Sequence, residues 1–253
     1  MLFRSRREVA LTFDCAAASG PTAEILRILR EERVPTTFFM VGVWARDHED
    51  LTREIAREHE LANHSWAHPD YRDLTAAEIA ADLRQNEEFL RALTGTGTQP
   101  LWRAPSAARD QRVLEVAAAA GWPTHIFWTI GQDAGGVISG DTGDWRGIAA
   151  AEVLANARRA VALGPGAILV AHCDSAATAS VLRAIIGLYR DAGLPASRSS
   201  YARVYVSVPG KYERQYFGLY SIVEEVDNNF ALENYKTKEG LFLKPAKIGR
   251  AHV

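Results

Sequence analysis

The chain has no lysine before Lys211; until that point every basic side chain is Arg or His. Cysteine is nearly absent too. Cys15 and Cys173 are the two present, too few for the disulfide framework of a small secreted scaffold. No run of about 18 apolar residues occurs, so no membrane-spanning helix is expected. Charge of one sign is also lacking. A net charge of -2 gives no electrostatic footprint for nucleic acid. A signal peptide is not visible: Met1 to Arg7 is basic, but no apolar segment follows before Asp14. The compartment therefore stays open, as does the oligomeric state.

What is present suffices for a sizeable core: 253 residues, 47% of them hydrophobic. The texture changes near Ser197. All six tryptophans lie at or before Trp145, whereas most tyrosines lie at or after Tyr201, and the lysines begin at Lys211. Such a shift implies a separate domain or a separate origin for the C-terminal part.

Before the shift, strand and helix signals alternate. Apolar runs at Val9–Phe13, Thr37–Val41, Leu101–Arg103, Thr124–Ile130 and Ala167–Ala171 predict short buried strands. Helices are expected after Gly20-Pro21, from Asp47 as a cap, from the capping box Thr75-Ala76-Ala77-Glu78, over Asp110–Ala120, over Ala150–Leu163, and around Val181, Leu182, Ile185, Ile186 and Tyr189. This alternation predicts parallel strands with helical crossovers, whose chemistry sits at the carboxyl ends of the strands. After the shift, Val204 to Val208 alternates with polar residues, Pro209-Gly210 follows, and Gly218–Val226 is again β-rich. This predicts an antiparallel hairpin, with Gly240–Lys244 as a further strand.

His64 and His68 stand four apart just before Pro69, a spacing at which two imidazoles can converge on one metal ion. Asp14 and His172 each end a predicted strand. A lone His-x-x-x-His pair is more often solvated or buried than ligating, and a lone strand-end Asp is more often a cap. The weight lies in the set. His48, His59, His125 and His252 have no motif around them and are given no role.

Thr12-Phe13-Asp14, His64-Ser65-x-x-His68, Arg103-x-Pro105, Asp141-x-x-Asp144-Trp145 and Leu169-x-x-His172, in this order, resemble the polysaccharide deacetylases, carbohydrate esterase family four. The resemblance covers residues 9–194. It implies a distorted (β/α)7-type barrel, truncated here, followed by the small antiparallel β segment. It implies hydrolysis of acetyl groups from an acetylated polysaccharide or peptidoglycan with a divalent metal, usually zinc, held by His64 and His68. Asp14 is then the general base, paired with Arg103, and His172 the general acid. Asp141 is expected to orient His172, with Asp144 as rival. Trp145 would wall the acetyl pocket, and Pro105-Ser106 would supply a backbone oxyanion donor. Ser106 departs from the tyrosine common there, and Gln132–Gly140 reads as an insertion before Asp141.

The departure with most consequence is Cys15, where the family's commoner motif has a metal-binding Asp. Three readings stay open: a thiolate third ligand giving a Cys-His-His zinc site, a small apolar core residue, or a bridge to Cys173. The missing carboxylate also keeps open a catalytically impaired relative that binds glycans.

Within residues 197–247, Val204-Tyr205-Val206, then Gly218-Leu219-Tyr220-Ser221-Ile222-Val223-Glu224-Glu225-Val226-Asp227 and Phe242-Leu243-Lys244-Pro245 resemble a fragment of the CotH-type atypical kinases of spore coats, too short to carry over a catalytic role. Leu2–Ser5 and Ile248–Val253 can be reverse-translated into common sequencing adapters. Residues 1–8 and 248–253 are therefore expected to be non-native, and the frame a chimera of a deacetylase lacking its last strand, the one after Gly193, with a CotH-type fragment.

Overall fold

The computed structural model describes residues 9–164, 166–191, 199–208 and 212–223. The chain divides into two compact units, Met1–Leu194 and Pro195–Val253.

The first unit alternates strand and helix. In order it runs β1 (Val9–Cys15), α1 (Thr22–Glu32), β2 (Thr37–Met40), α2 (Gly42–Asp47), α3 (Glu49–Glu58), β3 (Glu60–Asn63), α4 (Ala76–Thr94), β4 (Leu101–Trp102), α5 (Gln111–Ala119) and β5 (Thr124–His125). A hairpin of β6 (Ile130–Asp133) and β7 (Gly136–Ser139) follows, then α6 (Ala150–Ala162), β8 (Ala167–His172) and α7 (Ala176–Asp191). The main sheet has the order β5-β4-β3-β2-β1-β8 with parallel pairings throughout, the arc of a (β/α)7-type barrel.

β1 shows how the sequence builds this arc. Successive side chains point to opposite faces. Leu11, Phe13 and Cys15 enter the apolar cluster that α1 and α7 supply with Ile25, Leu26, Leu29, Leu182, Ile185 and Ile186. Each such fully buried side chain contributes about 1.5–3 kcal/mol. Thr12 and Asp14 take the other face, where their partner is polar. β8 repeats the pattern: Leu169, Ala171 and Cys173 join the same cluster.

The capping box at Thr75 and Glu78 forms as its sequence requires, and Gly95 closes α4 in a left-handed turn. Asp110 caps α5 by accepting from the Val113 N–H. Asp47 does not cap α3. It ends α2, a short helix that the apolar run Val41–Ala45 concealed, and α3 begins at Glu49 without a side-chain cap. The strand expected over Thr124–Ile130 stops at His125, and Ile130 opens the hairpin that forms the inserted stretch. Gly140–Thr142 then runs along the outer edge of β8, exchanging backbone bonds with Val170. Gly140 permits that approach, since a Cβ there would lie 2.1 Å from the Ile168 carbonyl oxygen.

In the second unit β9 (Ser199–Val208) and β10 (Tyr212–Val223) form the antiparallel pair expected from their alternation. The strand predicted at Gly240–Lys244 and the one expected after Gly193 lie outside the described residues.

Candidate active site

Register brings the candidate site residues to one edge of the sheet. Asp14 on β1 is opposite His172 on β8 and Phe39 on β2; Met40 is opposite Asn63 on β3, Asn63 opposite Trp102, and Trp102 opposite His125. Asp14 and His172 therefore sit at the carboxyl edge of the sheet, and His64 and Arg103 follow the last residues of their strands.

Arg103 is fully buried and organises one side. Its Nη1 donates to Asp14 Oδ1 at 2.5 Å, Nη2 to Thr12 Oγ1 at 3.0 Å and Nε to the Ile126 carbonyl at 3.0 Å. The guanidinium lies 3.9 Å over the Phe39 ring. Burial works against the Asp14 carboxylate, but the charge of Arg103, with smaller contributions from His64 and His172, outweighs it and holds the pKa below the ordinary carboxylate value. Asp14 is thus an ionised carboxylate with one oxygen committed to Arg103 and the other turned toward His64.

His64 donates from Nδ1 to the Arg103 carbonyl at 2.9 Å, because a carbonyl only accepts. Its Nε2 lone pair stands 3.5 Å from Asp14 Oδ2. Burial, opposed by Asp14, pushes its pKa down to about 4, so the ring is neutral and the contact with Asp14 is not an ion pair. The His68 ring meets His64 edge-on at 5.0 Å between centroids, and desolvation lowers its pKa as well.

His172 stands opposite. It donates from Nδ1 to Asp144 Oδ1 at 2.7 Å, and its backbone N–H donates to Asp144 Oδ2 at 2.9 Å, where Thr178 Oγ1 also donates at 2.5 Å. Burial disfavours the imidazolium, but the bond to Asp144 and the charges of Asp14, Asp144 and Asp141 overcome it, and the pKa is raised. Asp144 itself is lowered, since its bonds to His172 and Thr178 outweigh burial.

Two expectations are corrected by this geometry. The hydrogen bond to His172 comes from Asp144, not Asp141. Asp141 lies beside Val170 on the edge of β8, where its carboxylate accepts from the Gly143 N–H at 2.8 Å and from the Trp145 indole at 3.1 Å. Cys15 is joined to Cys173 in a disulfide, so it is not a thiolate ligand. The cause is strand alternation: Cys15 shares the core-facing side of Phe13, and Cys173 that of Ala171.

A zinc site of this kind uses three protein ligands and an open position. Here two imidazoles are available, and among the described residues no group of three His, Cys, Asp or Glu side chains is arranged to hold one ion. The donor set does not fit a three-ligand zinc site with the disulfide in place.

Pro105 is buried, whereas Ser106 and Ala107 both adopt left-handed backbone (φ 50° and 57°) in the turn after β4. Trp145 is 62% exposed, an aromatic face open to solvent. Thr12 was named only as part of the first motif, His125 was given no role, and Thr178 was not singled out from sequence. Thr12 carried a signal, lying two residues before Asp14 on the same strand face. His125 accepts the Ala104 N–H at Nε2 (3.1 Å) and is held neutral by burial, its pKa pushed down to about 4.

A buried Asp–Arg pair facing a His–Asp pair across the strand ends of a parallel α/β sheet is an arrangement suited to acid–base chemistry. Known proteins place it further. A family model described as polysaccharide deacetylase matches residues 4–125. The chitooligosaccharide deacetylase of Rhizobium leguminosarum bv. trifolii is 35% identical over 173 residues, covering 66% of this chain and 71% of that protein. The chain belongs to the polysaccharide deacetylase family. The peptidoglycan-N-acetylmuramic acid deacetylase PdaA of Bacillus subtilis (strain 168) is 31% identical over 125 residues, 49% of this chain and 47% of that protein. Among solved structures, a CE4 family pseudoenzyme from Bacillus anthracis superposes with a TM-score of 0.66 at 26% identity, over 75% of this chain and 63% of that one. The chain spans about half the length of the first curated relatives it matches, 48% and 54%. A second family model, described as CotH kinase protein, matches residues 180–251.

Proposed function

We propose that the first unit hydrolyses acetyl groups from N-acetylated amino sugars of a chitin-like polymer or peptidoglycan. One observation carries this reading: the ionised base Asp14 and the imidazole with raised pKa, His172, stand in register on neighbouring strands. Opposed proton affinities on two adjacent groups are what base-then-acid chemistry needs. Asp14 takes a proton from water as the oxygen attacks the acetyl carbonyl. His172 gives its proton to the amine nitrogen as the carbon–nitrogen bond breaks. One amide and one water become one amine and one acetate. Arg103 keeps Asp14 charged, Asp144 keeps His172 protonated and aimed, and the turn at Ser106 offers a backbone N–H to the developing oxyanion. Trp145 offers its exposed ring to the sugar. Zinc enters none of these steps, because the donor set lacks a third ligand.

A second reading is favoured by that same gap and by the likeness to a pseudoenzyme: a relative that binds glycans without cleaving them. The test is acetate release by the purified chain from N-acetylated chitooligosaccharides and from peptidoglycan, beside Asp14→Asn and His172→Ala. Release lost in both folded variants supports deacetylation. Glycan binding without release by the folded wild type decides for the binder.

A further inference from the structure

We infer that Gly42, Asp82 and Asn86 form a clamp that positions the loop carrying His64 and His68. The loop needs holding. Ser65 (φ 74°) and His68 (φ 60°) both adopt left-handed backbone, a region that side chains other than glycine disfavour. Within the loop, Ser65 Oγ accepts the His68 N–H at 2.8 Å and Asn63 Oδ1 accepts the Ser65 N–H at 2.9 Å. The Asn63 side chain is fixed from α4 in turn: its Oδ1 accepts from Asn86 Nδ2 at 2.9 Å, and its Nδ2 donates to the Leu83 carbonyl at 2.9 Å. Asn86 Nδ2 also donates to the Met40 carbonyl at 2.8 Å, tying the ends of β2 and β3 to one buried amide.

Asp82 lies one turn earlier, on the same face of α4. Its Oδ1 accepts the Trp66 N–H at 2.8 Å and the Tyr71 hydroxyl at 2.6 Å. The start of α2 closes the third side: Gly42 N–H donates to the Ser65 carbonyl at 3.0 Å and Val43 N–H to the Trp66 carbonyl at 2.9 Å. The Trp66 ring, between the two histidines in sequence, lies directly on Gly42. A Cβ on Gly42 would stand 2.1 Å from Trp66 Cε3 and 2.9 Å from Asn86 Oδ1. Phe89 of α4 backs the indole edge-on at 5.6 Å. A single methyl at position 42 therefore pushes on the loop and on Asn86 at once. These three residues are positioning residues: they act on the site through residues 63–68.

The test reads the His64 ring directly. In the full chain labelled with ¹⁵N-histidine, the Nδ1–H of His64 (bonded to the Arg103 carbonyl) and that of His172 (bonded to Asp144) each give a protected ring N–H signal. Asn86→Ala and Gly42→Ala are expected to shift or abolish the His64 signal while His172 keeps its own. Gly42→Ala combined with Trp66→Leu, which returns the space, is expected to restore it. If Gly42→Ala does not fold, Asn86→Ser carries the same comparison. An unchanged His64 signal in the folded variants overturns the inference, and so does parallel loss of both signals, which would mean general loosening. The clamp does not depend on the deacetylase reading, whose steps use neither His64 nor His68. A wild type that releases no acetate while His64 responds as stated retires that reading and leaves the clamp standing.

Discussion

Replacing Asp144 by Asn tests the acid half of the site. Three donors converge on this carboxylate: the Nδ1–H and backbone N–H of His172 at 2.7 and 2.9 Å, and the Thr178 hydroxyl at 2.5 Å. An asparagine has one oxygen and one amide nitrogen that cannot accept, so in either orientation a donor faces a donor. The Asp144 side chain is fully buried and that of His172 only 22% exposed, so solvent screens the pair little. A hydrogen bond to a charged group contributes about 1.5–3 kcal/mol, and one pKa unit is about 1.36 kcal/mol, so the His172 pKa should fall by about one to two units. If His172 delivers its proton to the leaving nitrogen as proposed, the alkaline limb of the acetate-release profile should move to lower pH by about the same amount, with a rate loss of roughly ten- to a hundred-fold near neutrality. Stability should follow the same sign. A pKa raised in the folded state stabilises fully below about pH 6.5, the unfolded value, and that contribution fades as pH rises through the folded one. The stability deficit of the variant should therefore shrink at alkaline pH. An unmoved alkaline limb in a folded Asp144→Asn protein refutes the assignment, as would Asp141→Asn moving it instead.

Three further outcomes follow from the same geometry. Arg103→Leu leaves the Asp14 charge buried and unpaired; denaturant unfolding should show a loss of about 3–5 kcal/mol, and the acid limb of activity should move to higher pH as the Asp14 pKa rises. Thiol labelling of the denatured, unreduced chain should find no free cysteine, and Cys15→Ser with Cys173→Ser should cost about 2–4 kcal/mol, since the bridge closes most of the first unit; two labelled thiols would undo the account of Cys15. His59 is a half-buried ring whose two nitrogens are buried with no hydrogen-bond partner among the described residues, tilted against Phe38 at 5.1 Å, its pKa pushed down to about 4 by burial. Its folded state binds fewer protons than its unfolded state between about pH 4 and 6.5, so stability should fall as pH drops through that window, and His59→Leu should flatten the fall in thermal unfolding.

The helix start at Thr75 was legible in the chain, because its capping box is a local device, readable from four consecutive residues; Asp110, read as the first residue of a helix, is its cap. The site was legible where its members end apolar runs, as Asp14 and His172 do, because a buried parallel strand must be apolar until it reaches the edge where chemistry begins. α2 was not, because six residues between strand and helix carry too few positions to establish a period.

By itself the sequence established the parallel α/β architecture, pointed to the candidate set Asp14, His64, His68, Arg103 and His172, and showed the break in texture from about Ser197 on. It could not choose between Asp141 and Asp144, three residues apart in one motif. That choice was made by the path of Gly140–Thr142 along β8, which turns Asp141 to its own loop and brings Asp144 beneath His172. Nor could it choose among the three readings of Cys15. Only the pairing of β1 with β8 sets Cys15 beside Cys173, 158 residues away, on the face opposite Asp14. Local patterns fix what each strand is made of; which side chains meet is decided by strand register, a property of the folded sheet.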